Sequence, residues 1–106
     1  MDNRVLNDIR EQLNTAEKQG DEAVWAVYNK LTAEKGTDWQ TLAAITIASS
    51  ELLVKNANGI SDRLANTFEA MNDMVFDYAE QHAEEINDYR QFRNHACHWV
   101  EQIPGF

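Results

Sequence analysis

Residues 64–82 read LANTFEAMNDMVFDYAEQH. Within this stretch Leu64, Phe68, Met71, Val75, Tyr78 and His82 step by 4, 3, 4, 3 and 4. At about 100° per residue all six fall within roughly 80° of arc, the pattern of an amphipathic helix with one buried stripe. No Gly or Pro interrupts the chain from Ser61 until Pro104. A second register, Tyr89, Phe92, Ala96, Trp99 and Ile103, is offset from the first. One helix of about 40 residues would be long for so small a chain. A break is therefore expected near Ile86–Asp88, with Asp88 capping a new helix and Gln91 at its third position.

The same period extends towards the N-terminus. Val5, Leu6, Ile9, Leu13 and Ala16 line one face of a helix over about Asn3–Lys18, which Asp2 can cap and Gly20 can close. Val24, Val27, Tyr28 and Leu31 define a second helix over Glu22–Lys35, with Asp21 as its N-cap and Gly36 at its end. Thr37-Asp38-Trp39-Gln40 reads as a capping box, with Thr37 at the cap. The helix that follows, Asp38–Ala57, is apolar nearly all round through Trp39, Leu42, Ile45, Ile47, Leu52, Leu53 and Val54, so it is expected to be the central, most buried one. Asn58-Gly59 ends it. The expected fold is all-α, an antiparallel bundle of four to five helices forming one domain over residues 1–106.

Opposite the Leu64–His82 seam, Glu69, Asp73, Asp77, Glu80, Glu84 and Asp88 step by 4, 4, 3, 4 and 4. On a continuous helix they form one solvated stripe roughly 29 Å long. No Lys or Arg lies between Leu64 and Tyr89. Like charges at i, i+4 cost a few tenths of a kcal/mol each, so the stripe does not stabilise its own helix. Phe76 borders it, about 120° from the seam, where an aromatic can anchor an interface or pack on a neighbouring helix. Carboxylate rows of this kind can stand in electrostatically for phosphates.

With 18 acidic and 9 basic residues the formal net charge is −9. That balance argues against direct contact with nucleic acid, where Lys and Arg neutralise phosphates, and against anionic lipid. It favours attraction to basic protein surfaces. No apolar run is long enough to span a membrane, and the opening Met1-Asp2-Asn3-Arg4 precedes no signal core. Cys97 is the only cysteine, so no internal disulfide can form and a cytoplasmic, reducing compartment is expected.

The segment Arg90–His98 holds the remaining chemistry. Arg93-Asn94-His95-Ala96-Cys97-His98 resembles the Arg-(4)-His motif of HEPN ribonucleases over six residues. The resemblance implies metal-independent RNA cleavage at a dimer interface, with Arg93 on the phosphate and His98 transferring protons. His95, His98 and Glu101 also follow one another at intervals of three, with His82 as a fourth ligand candidate, but no Glu-x-x-His pair of the di-iron type occurs. Cys97 has Arg and His neighbours, but no ordered Cys-His-acid arrangement follows from the sequence.

No phosphate-binding Gly loop or nucleophile elbow is present. The expected function is that of a small acidic, non-catalytic binding protein, an inhibitor or regulator of phage-inhibitor or immunity-protein type. It would dock the face of Glu69, Asp73, Phe76, Asp77, Glu80, Glu84 and Asp88 on a basic protein surface by nucleic-acid mimicry, with no metal or cofactor. Two alternatives stand beside it: the HEPN-like ribonuclease, and a self-assembly module pairing the Leu64–His82 seam between chains. A homodimer is compatible with all three readings.

Overall fold

The computed structural model describes residues 1–102, apart from the side chain of Trp99. Five helices follow one another: α1 (Asn3–Glu17), α2 (Asp21–Lys35), α3 (Trp39–Ala57), α4 (Asp62–Gln81) and α5 (Tyr89–Gln102). The architecture is an all-α bundle. Ile103 and Pro104, read above as the end of the second register and its terminator, lie outside the described residues.

α3 sits at the centre and packs against the other four helices. Every residue from Thr41 to Ser50 is buried, which is why this segment carries no charged residue. Around it, α1 contributes Leu6, Ile9, Leu13 and Ala16, α4 contributes Phe68, Met71, Val75 and Ala79, and α5 contributes Phe92 and Ala96. Side-chain contacts at both ends fix the directions. The Asp2 N–H donates to Gln40 at the start of α1 and α3, and Glu17 pairs with Lys55 at their ends, so α1 and α3 run parallel. Asp21 pairs with Arg63, and Gly36 abuts Tyr78, so α2 and α4 also run parallel. From α1 to α4 successive helices therefore alternate in direction, as their short connections require.

Central helices bury polar groups as well as apolar ones. Thr46, Ser49 and Ser50 are fully enclosed, and their hydroxyls donate to carbonyls of the preceding turn at 2.8–3.1 Å. This satisfies them locally and lets small side chains face the neighbouring helix. Asn56 is likewise enclosed; its amide donates to Glu17 at 2.7 Å and to the Leu52 carbonyl at 2.8 Å.

Helix starts depart from expectation at two places. Thr37 is not the cap of α3; Asp38 is, accepting from the Gln40 N–H at 3.3 Å and from the Thr41 hydroxyl at 2.8 Å. Gln40 does not close a capping box, because its side-chain oxygen is taken by the N–H of Asp2. Asp21 is the first residue inside α2 rather than its cap; Gly20 occupies that position with φ of 104°, a conformation favoured only by glycine. The caps at Asp2 and Ser61 follow the local signals: Asp2 accepts from the Arg4 N–H at 2.9 Å and Ser61 from that of Leu64 at 3.2 Å.

The long Gly-free C-terminal stretch is broken, and earlier than Ile86. α4 ends at Gln81 with His82 as its C-cap, and residues 82–88 form an irregular connection. Ile86 turns into the core with 6 % exposure. The neighbouring Asn87 reaches back to the α2–α3 junction, where its N–H donates to the Thr37 carbonyl and its side chain accepts from the Trp39 N–H, both at 2.9 Å. Asp88 then caps α5 by accepting from the Gln91 N–H at 3.1 Å.

Candidate functional site

The break divides the acidic face. Glu69, Asp73, Asp77 and Glu80 lie on α4 and are all exposed, on the side turned away from Phe68, Met71 and Val75. They span 11 residue intervals, roughly 17 Å of helix. Glu84 and Asp88 are exposed but belong to the connection, so the expected 29 Å helical stripe is corrected to the shorter α4 row with two acids beyond its end. Asp88 is also committed to its cap.

The α4 row takes part in no ion pair among the described residues, although Arg93 of α5 stands within electrostatic range of Glu80. Among the described residues the ion pairs join Arg4 to Asp2, Arg10 to Glu51, Lys55 to Glu17, Arg63 to Asp21 and His82 to Glu85. None involves Glu69, Asp73, Asp77 or Glu80. Three of these bridges tie helices together, as where Arg10 meets Glu51 through two bonds of 2.9 Å and links α1 to α3. The acids of α4 have no such structural use.

Phe76 is half-buried and packs on Phe92 of α5 with ring centroids 5.6 Å apart. It serves as the seat of α5 on α4. The Leu64–His82 seam is also engaged within the chain, since Phe68, Met71 and Val75 are fully buried. Coiled-coil pairing of this seam between chains would require unpacking the core.

The His and Arg side chains of α5 do not converge. Arg93 is exposed and donates to the Tyr89 hydroxyl at 3.4 Å, a bond that raises its pKa further. His98 is exposed and bonds Gln102 at 3.0 Å. Five residues apart, the two positions point about 140° from one another around the helix. His95 instead stacks on Trp39 with centroids 5.1 Å apart, and burial, reinforced by the N-terminal amine and His98, holds its pKa below the ordinary value. His82 lies against Tyr78 at 4.4 Å and bonds Glu85 at 3.0 Å. Among the described residues no three His, Cys, Asp or Glu side chains are grouped to hold a metal ion. Cys97 is half-buried.

One surface feature escaped the sequence reading. Val27 belongs to the predicted buried stripe of α2, yet it is half-buried and lines a groove between α1 and α2 with Ala23 and Ala26. The available signal was composition: α2 carries apolar residues on more than one face, as Ala23, Val24, Trp25, Ala26, Val27 and Tyr28 follow without interruption.

The fold and the acidic face define a five-helix bundle without an evident catalytic constellation among the described residues. The chain matches no protein-family model, no curated protein and no solved structure. No helix among the described residues is long and apolar enough to cross a membrane.

Proposed function

We propose that the protein is a small acidic, non-catalytic binding protein that docks the outer face of α4 on a basic surface of a protein target. Inhibition or regulation by occupying a nucleic-acid-binding groove fits this mode. The observation that supports it is the row Glu69, Asp73, Asp77 and Glu80: exposed, regularly spaced along one helix face and in no ion pair among the described residues. Unpaired surface carboxylates raise the rate and selectivity of encounter with a positive partner, and the effect weakens with salt.

The test begins with affinity capture from native lysate at low and high salt and identification of the captured partner. Binding of that partner is then measured for wild type and for a variant with Asp73, Asp77, Glu80 and Glu84 changed to Lys. Loss of binding is expected; unchanged affinity refutes the reading. A ribonuclease assay on metal-free protein addresses the enzymatic alternative, whose activity would vanish in Arg93→Ala or His98→Ala.

A further inference from the structure

α2 carries more apolar surface than its buried stripe needs. Val24, Tyr28 and Leu31 are enclosed, whereas Ala23 and Val27 are half-buried and Ala26 is exposed. With Ala16 of α1 they line an open groove of about 500 Å³ between the two helices. It stays open because these side chains are small, while Leu6, Ile9, Leu13, Val24 and Leu31 are buried in the core. The α1 wall carries Asp8 and Glu11, neither of which takes part in an ion pair among the described residues. Asp8 accepts a bond from Gln12 at 3.0 Å, and both also border the next stretch of the groove, where Lys30 and Lys35 stand near Glu34. The alanine-floored stretch is thus negative along one wall, while the next stretch, which shares Asp8, adds Arg4, Lys30 and Lys35.

We infer that this α1–α2 groove docks a short amphipathic helix of a partner protein, apolar on the face that meets Ala23, Ala26 and Val27 and basic where it passes Asp8 and Glu11. A trough between two antiparallel helices accepts a third along its length, with apolar side chains at i, i+3 and i+4 entering it. An alanine floor permits close approach, and the unpaired carboxylates select Lys or Arg beside the apolar anchors. The site is separate from the α4 row, so either can fail alone.

The probe is a synthetic helical peptide of about 15 residues, the length at which isolated helices become marginally stable, with Leu every third or fourth position and flanking Lys. It is titrated into isotope-labelled full-length protein and followed by amide chemical shifts. Saturable shifts at Ala23, Ala26 and Val27 are expected. Replacing the peptide's Lys with Gln should weaken binding measurably, by up to about fivefold for each surface charge pair lost. Asp8→Lys combined with Glu11→Lys should reverse the preference in favour of a Glu-flanked peptide. Ala26→Arg, an exposed position whose folding is verified by circular dichroism, should abolish binding by filling the groove. The inference is overturned by an absence of saturation up to about 1 mM, by shifts confined to α4, by equal affinity for the Lys and Gln peptides, or by sedimentation showing that a second copy covers the groove.

Discussion

Asn72 of α4 donates its side-chain amide to Ser50 Oγ of α3 at 2.7 Å, inside the buried interface between the two helices. The same amide reaches the Thr46 carbonyl at 3.1 Å and Ser49 Oγ at 3.3 Å. Acceptors from one turn of α3 meet a single donor, so sliding either helix would strand buried polar groups. Asn72→Ala is expected to lower unfolding free energy by about 0.5–1.5 kcal/mol, the net worth of a hydrogen bond, because Ser49 and Ser50 keep their bonds to the Thr46 carbonyl. Urea unfolding measures it, and a negligible change would show that the network does not hold the register.

Gly36 ends α2 with an ordinary helical φ of −68°, so backbone freedom does not explain the glycine. A Cβ there would collide with the Tyr78 hydroxyl and with the Thr32 carbonyl. Gly36→Ala should therefore destabilise by about 1–3 kcal/mol through overpacking. Tyr78→Phe in the same chain should recover part of that loss, because the Thr32 contact remains. A double-mutant cycle on thermal unfolding gives the coupling.

Asn87 holds the 82–88 connection against the start of α3 through its two bonds of 2.9 Å. Asn87→Ala removes the side-chain acceptor of the Trp39 N–H and is expected to cost about 1 kcal/mol, as for a lost helix cap. Hydrogen exchange at Trp39 should quicken in the variant. Unchanged exchange would mean that Asp38 suffices.

His95 gives a pH dependence whose sign follows from its surroundings. The unfolded chain takes up a proton near the ordinary value of 6.5, and the folded chain only at lower pH, because burial disfavours the charged ring and the N-terminal amine and His98 repel it. Its contribution is intact above that value, declines as pH falls through the window between the two, and levels off below the folded value. His95→Phe keeps a ring against Trp39 without the proton. The difference in Tm between about pH 7.5 and 5.5 should be smaller in this variant than in wild type.

The α4 row should weaken its own helix. Asp73→Lys converts the like-charge pairs with Glu69 and Asp77 into attractive ones, each worth a few tenths of a kcal/mol. A modest rise in stability is expected at low salt and should shrink at high salt. Destabilisation would instead point to a structural use of Asp73.

The periods of apolar residues were enough to place the first three helices and the two C-terminal registers of an expected four- to five-helix bundle, because each element buries a stripe set by its own sequence. Leu6, Ile9 and Leu13 on α1, and Phe68, Met71 and Val75 on α4, are buried as their spacing requires. The run Thr41–Ser50 declared the central helix by carrying no charged residue. The row of acids on α4 was legible for the same reason: its spacing opposes the seam, so burial of one face exposes the other.

Contacts across the fold decided the rest. Whether Thr37 or Asp38 caps α3 depended on Asn87, 48 residues from Trp39, and on Gln40 being drawn to Asp2. The acidic stripe stopped at α4 because Ile86 found the core and Asn87 found α3; the offset registers announced a break near Ile86–Asp88, and these long-range contacts moved its start back to His82. Phe76, read as an edge residue, became the seat of Phe92 only once α5 folded back. The α1–α2 groove likewise exists because two helices turn their larger side chains towards a third. A sequence states which faces are apolar; the packed chain states which of them another helix covers.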